Sequence, residues 1–160
     1  MLSGRLLIEI VFAFLGSFFP GVLFNIERKN LVWAGISGSI GWVLFAIVKA
    51  ATASPAMATF VGAAGIGVYS EIMARVKKTP ASIFSITGIY PLVPGITAYN
   101  TVKYIVEDDL AMALNKGIET AAVAGAIAFG IMTVTAAFQF ITRFKQRKHE
   151  IKQEKSLSNS

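Results

Sequence analysis

Five long apolar segments constrain this chain more than any other feature, because they are nearly free of charged side chains. The segments are residues 6–24, 31–48, 56–69, 83–105 and 121–141. A helix that crosses a bilayer needs roughly 20 mostly apolar residues, and the third segment reaches that length when it is extended to 54–73. The alternative, a soluble all-helical core, would have to bury five helices that are apolar on every side. We therefore predict an all-α integral membrane protein with five transmembrane helices.

The basic residues predict which side of the membrane each connection faces. With five spans, the connections at 25–30 and 72–82 and the tail at 143–160 fall on one side and hold eleven of the fifteen Lys and Arg residues. The positive-inside rule makes that side cytoplasmic. We predict an external N-terminus, a transmembrane domain over residues 1–142 and a basic cytoplasmic tail over 143–160. The net charge of +6 then favours lipid rather than nucleic acid as the partner.

The sequence lacks the side-chain patterns of enzymes and metal sites. It has no cysteine, its one histidine lies in the basic tail, and no His, Cys, Asp and Glu residues share metal-ligand spacing. We therefore expect no enzyme activity, no cofactor and no metal. Ionisable residues within a span are functional candidates, and Glu9 and Glu71 qualify, although each lies near enough to a membrane interface to reach water.

Small residues recur four positions apart in the second, third and fifth segments. Transmembrane helices associate through such residues because they let two backbones approach closely. The residues expected at these packing faces are Gly35, Gly38, Ser39, Gly41, Gly62, Gly65 and Gly67. A substrate path beside these faces is the alternative interpretation. The number of small residues exceeds what five helices can use among themselves, so we expect a partner chain or self-association.

The fourth segment contains the helix-breaking sequence GIYPLVPGITAYNT at residues 88–101. Proline has no N–H and clashes with the carbonyl four residues before it, so Pro91 should free the carbonyl of Thr87, and Pro94 that of Tyr90. Pro94 is the midpoint of the segment. Unsatisfied backbone at the middle of a bilayer must face protein or a water-filled cavity. The sequence therefore predicts a fourth span broken at Pro91, Pro94 and Gly95.

A discontinuous helix at the bilayer midplane is how many secondary transporters build a substrate site. The free N–H groups of a half-helix that begins near Gly95 could hold a carboxylate, and the freed carbonyls could accept from an ammonium group. No charged side chain lies near Pro94, which suits a small zwitterion. The alternative is a proline kink whose polar residues only repair the helix. The candidate substrate-binding residues are Thr87, Tyr90, Pro91, Pro94, Gly95, Thr97, Tyr99, Asn100 and Thr101.

Three motifs give the chain a resemblance to a known transporter family. They are FNIERKNLVWAGISGSIGW at 24–42, GAAGIGVYSE at 62–71 and PLVPGITAY at 91–99. In order and spacing they resemble the threonine/serine exporter family, over roughly residues 10 to 140. Within that family the chain resembles the small membrane subunit, which corresponds to the C-terminal half of the fused exporters.

The resemblance implies a protein of the bacterial plasma (inner) membrane that acts with a larger subunit of the same family. The pair would export threonine, serine or a related small metabolite, driven by the proton motive force. Two other functions stay open at this point: a subunit of a dicarboxylate (succinate-type) exporter, and a membrane scaffold that assembles a partner without transporting. A homo-oligomer is a further possibility for the assembly.

Overall fold

Helices alone form the part of the chain that the structure, a computed structural model, describes: the backbone of residues 2–158 and the side-chain surroundings of residues 4–144. The elements are α1 (Leu2–Leu23), α2 (Arg28–Thr52), α3 (Pro55–Lys77), α4 (Ser82–Gly88), a 3-10 turn (Tyr90–Leu92), α5 (Gly95–Val106) and α6 (Leu110–Ser158). The prediction of an all-helical chain is confirmed.

Four helices are long and apolar enough to cross a membrane: α1 from Gly4, α2, α3, and α6 as far as Phe144. The predicted fourth span is divided between α4, the 3-10 turn and α5, none of which reaches that length. The count of five crossings and the orientation stay predictions. The basic tail predicted at 143–160 lies, from residue 145 onward, outside the residues whose side chains are described.

Neighbouring helices α1, α2 and α3 pack antiparallel around the centre of the molecule. Along the α1–α2 contact, Trp42 meets Glu9, whereas Leu31, eleven positions earlier in α2, meets Gly21. The same reversal relates α2 to α3, where the Tyr69 hydroxyl donates to the backbone carbonyl of Trp33 at 3.1 Å. The connections between these helices are short. Asn25 and Ala53, which lie in the two connections, have left-handed backbone geometry, which ends one helix and lets the chain reverse into the next.

Helices α3 and α6 run parallel, which determines the path of the broken segment. A Cβ placed on Gly130 of α6 would lie 2.7 Å from the Phe60 carbonyl, near the start of α3. Fifteen positions further along α3, the Arg75 guanidinium donates to the Thr142 hydroxyl of α6 at 3.3 Å. A chain that enters two helices from the same end must run back along their length between them. The chain between Lys77 and Leu110 therefore carries the backbone from one end of the bundle to the other.

The small residues expected at packing faces lie where the helices cross. A Cβ added to Gly38 would overlap the hydroxyl of Ser17 in α1, and one added to Gly62 would lie 2.8 Å from the Gly41 carbonyl in α2. Ser39 donates to the Ile10 carbonyl at 3.4 Å. Gly35, Gly41, Gly65 and Gly67 also face a side chain of a neighbouring helix. This close approach brings α1 against α2 and α2 against α3.

The start of α3 gives a test of local stability. The Ser54 hydroxyl accepts from the backbone N–H of Met57 at 3.5 Å, and Pro55 occupies the first helical position. Replacing Ser54 with alanine leaves that N–H without an acceptor, so we expect the free energy of unfolding to fall by about 1 kcal/mol or less. Thermal unfolding of the purified protein in detergent measures the change. Ser82→Ala, at the exposed start of α4, is the control, and an equal loss there would contradict the capping role.

Candidate functional site

The helix break predicted at Pro91, Pro94 and Gly95 is present in the structure. Pro94 makes the preceding residue avoid helical geometry, and Val93 has φ −61° and ψ 130°. Pro94 itself has φ −78° and ψ 57°, and the Gly95 N–H donates to the Val93 carbonyl at 2.8 Å, which is an inverse γ-turn. Helix α5 then starts at Gly95.

One expectation about this break is wrong: the Tyr90 carbonyl is not free. The chain tightens into a 3-10 turn after α4, and the Val93 N–H donates to Tyr90 at 3.3 Å. In such a turn a carbonyl accepts from the N–H three positions ahead rather than four. The Tyr90 carbonyl therefore has a partner although Pro94 has no N–H. The γ-turn also uses the Gly95 N–H. By the pattern of helix starts, the N–H groups left for an external acceptor at α5 are those of Ile96 and Thr97.

The threonines of the predicted site donate their hydroxyl protons to backbone carbonyls. Thr97 bonds to Pro94 at 3.0 Å and Thr101 to Thr97 at 2.8 Å. Thr87 is buried and bonds to Ile83 at 2.9 Å. A threonine hydroxyl that donates in this way still has lone pairs with which to accept. The part-buried Thr97 and Thr101 hydroxyls therefore suit a ligand that donates, such as an ammonium group, whereas Thr87 is fully buried.

The predicted residues divide among several cavities rather than lining one. Tyr90 and Pro91 line a cavity of about 320 Å³ between α1, α2 and the 3-10 turn. Pro94 lines a groove of about 740 Å³ between the break and α6. Thr101 lines a third cavity of about 530 Å³ between α5 and α6. The candidates that line none of these three are Thr87, Gly95, Thr97, Tyr99 and Asn100.

The cavity beside Pro91 also contains Glu9, a residue that the sequence interpretation left near the membrane interface. The Glu9 carboxylate accepts from the indole N–H of Trp42 at 3.3 Å. The sequence shows which face of α1 Glu9 shares, but not which residues that face meets. Glu9, Ala13 and Gly16 lie four and three positions apart on one face of α1, and a Cβ on Gly16 would lie 3.9 Å from Pro91.

Comparison with known proteins places the chain in a family. The family described as "Threonine/Serine exporter, ThrE" matches residues 9–137, which is most of the sequence. The chain belongs to the threonine/serine exporter family. A curated relative, the "Probable threonine/serine exporter" of Mycobacterium tuberculosis, is 25% identical over 130 residues, which cover 78% of this chain and 25% of the relative. No solved structure matches the chain significantly.

Two facts follow for this member of the threonine/serine exporter family. The matched range begins at Glu9 and includes the whole break, so both walls of the cavity beside Pro91 belong to the family domain. The chain also spans only about a quarter of the length of the curated relative that it matches. The family is one of transporters, and the apolar helices agree with a membrane transport protein.

Proposed function

We propose that this chain is one subunit of a secondary transporter that exports threonine, serine or a related small metabolite across the bacterial plasma membrane. It acts with a larger subunit of the same family. The observation that carries the proposal is the family match over residues 9–137, a range that includes a helix broken within the bundle. Broken helices are a recurring element of substrate sites in secondary transporters.

The path of the chain supports five crossings with an external N-terminus. Because α3 and α6 run parallel, the segment between them returns through the bundle as α4, the 3-10 turn and α5. Together, that interrupted segment and the four continuous helices make five membrane crossings. With five crossings, Arg28, the cluster at Arg75, Lys77 and Lys78, and the C-terminal end of α6 share one side, as the positive-inside rule requires of cytoplasmic segments.

The surface of α5 supports a partner chain. This helix packs against α6, and most of its outward side chains are apolar and open: Ile96 is 80% exposed and Val106 is 78% exposed. Leu110 and Leu114 continue the same apolar surface onto α6. Close packing by another transmembrane helix would stabilise such a surface, and the larger subunit is the occupant that we propose for it.

Efflux measurements test the proposed function. Cells that lack their own exporters are loaded with threonine, serine or succinate, and efflux is followed with this chain, the larger subunit, or both. We expect threonine and serine efflux only when both chains are present. Efflux by this chain alone would contradict the need for a partner. Succinate efflux without threonine efflux would replace the amino-acid substrate by a dicarboxylate.

Two substitutions in α5 test the proposed site. Thr97→Val removes a hydroxyl that can accept from a ligand, and Asn100→Ala removes an amide on the same stretch of helix. We expect threonine efflux to fall about fivefold or more in each, the loss of roughly one hydrogen bond to a charged group. Thr133→Val, which removes an exposed hydroxyl of α6 bonded to Phe129, is the matched control. Efflux that survives both α5 changes, with the complex intact, would favour the scaffold function.

A further inference from the structure

Glu9 is a carboxylate that lines a cavity reaching to Tyr90 and Pro91 of the helix break. Its side chain is 40% exposed, and the space that it faces is the cavity of about 320 Å³ lined also by Phe12, Tyr90 and Pro91. The indole of Trp42 donates to one carboxylate oxygen at 3.3 Å. That bond holds the carboxylate against α2 and leaves its other lone pairs directed to the remaining surroundings. An ionisable group held in this way within an apolar span indicates a binding function.

The walls of this cavity favour a cationic ligand. Phe12, Trp42 and Tyr90 supply aromatic walls to this cavity. Trp42 is the one bonded to the carboxylate, whereas the Tyr90 ring centroid lies 6.2 Å from that of Phe24, toward the other end of α1. Aromatic faces attract ammonium groups within about 6 Å of the ring centre. Small-molecule cavities begin at about 300 Å³, so a cavity of about 320 Å³ suits a ligand of only a few heavy atoms. A carboxylate within aromatic walls therefore selects a small organic cation over an anion.

Among residues 4–144, Arg5, one helical turn earlier on α1, is the cation paired with Glu9. Its guanidinium nitrogen lies 3.8 Å from the Glu9 oxygen that does not bond to Trp42, and its side chain is 88% exposed. Lys49, a further cation on α2, lies over the ring of Phe45 instead. An exposed ion pair at this distance contributes little stability. A ligand cation that enters the cavity can therefore replace Arg5 at the carboxylate.

We propose that this cavity binds the ammonium group of a small primary amine, with Glu9 as the counter-charge and the Trp42 ring as the wall beside it. In the exporter proposed above, the amine is the amino group of the transported amino acid. The physiological ligand of this cavity therefore rests on the proposed function. The cavity lies on the α1–α2 side of the break and is separate from the residues predicted on α5. Arg5 acts as the competitor that occupies the carboxylate when no ligand is bound.

Tryptophan fluorescence reports on this cavity directly. The chain has two tryptophans, and Trp33→Phe leaves Trp42 as the only one. The full-length Trp33→Phe protein is reconstituted into phosphatidylcholine vesicles, whose lipid carries neither a primary amine nor an indole. L-Threonine, ethanolamine and 3-hydroxybutyrate are then titrated. We expect threonine and ethanolamine to change the Trp42 emission saturably and 3-hydroxybutyrate, which lacks the ammonium group, to leave it unchanged. If 3-hydroxybutyrate and ethanolamine bind with equal affinity, the proposal is overturned. This comparison needs no substitution at Glu9.

Variants on α1 give effects of opposite sign. Glu9→Gln should weaken ethanolamine binding by about tenfold or more, since one charge-assisted contact is lost. Arg5→Gln should tighten it, by roughly twofold to fivefold, because the competing cation is removed. Glu119→Gln, which neutralises a carboxylate paired with Lys116 on α6, is the control and should not change binding. Ethanolamine affinity in Glu9→Gln within twofold of the parent, or weaker binding in Arg5→Gln, would overturn the assignment.

The outcomes separate this inference from the proposed function. If ethanolamine binds through Glu9 while cells with both subunits export neither threonine nor serine, the amine site stands and the exporter function fails. If both subunits export threonine and Glu9→Gln exports it at the parent rate, the exporter function stands and the amine site fails.

Discussion

Replacing Pro94 with alanine is expected to lower threonine efflux by about tenfold or more, because a shift of about 1 Å in positioning groups can cost up to 10²-fold. Pro94 acts locally: it keeps Val93 extended and closes the γ-turn in which the Gly95 N–H bonds to Val93. Alanine supplies the missing N–H and permits helical geometry at both residues. The 3-10 turn can then continue into α5 as one helix, which moves the N–H groups of Ile96 and Thr97 away from the break.

Pro91→Ala should have a smaller effect on efflux than Pro94→Ala. Pro91 lies near the start of the 3-10 turn, where a missing N–H is tolerated. Pro20→Ala is the matched control, because Pro20 lies inside α1 without interrupting it. Efflux in the two-subunit cells is normalised to the amount of chain in the membrane. If the Pro94→Ala variant exports threonine at the same rate as the unmodified protein, the break serves packing alone.

The break could be predicted from the sequence because its cause lies within a few residues. Proline restricts its own backbone and that of its predecessor wherever the chain folds, so Pro94 determines the conformation of Val93 in any tertiary setting. The apolar segments were predictable for a similar reason, since length and composition decide whether a helix can cross a bilayer. The same local argument failed at the Tyr90 carbonyl, because the backbone after α4 shifted to 3-10 geometry and satisfied it.

The place of Glu9 could not be predicted from the position of the residue along its helix. Its neighbours depend on the register between α1 and α2, and that register arises where Gly38 admits Ala13 and Ser17 to close contact. Small residues marked the faces that pack, but they did not indicate which pairs meet. Once the register is known, Glu9 lies beside Trp42 and across the cavity from Pro91.

The crossing of α1 and α2 at Gly38 is a place where we expect one added side chain to destabilise the protein strongly. A Cβ at this position would overlap the Ser17 hydroxyl, and it would lie 3.1 Å from the Ala13 carbonyl. The obstacle includes backbone, so it cannot rotate away as the end of a flexible side chain would. Overpacking typically costs 1–3 kcal/mol, and for Gly38→Leu we expect the free energy of unfolding to fall by about 3 kcal/mol.

The same change should loosen the amine cavity, because separating α1 from α2 lengthens the bond between Trp42 and Glu9. Thermal unfolding in detergent, followed by size-exclusion chromatography, measures the stability, and Trp42 emission in the Trp33→Phe background follows the cavity. Gly125→Leu in α6 is the matched control, because a Cβ there meets nothing within 4 Å. Equal unfolding temperatures for Gly38→Leu and Gly125→Leu would mean that α1 and α2 do not cross at Gly38, and the cavity shared by Glu9 and Pro91 would then lose its support.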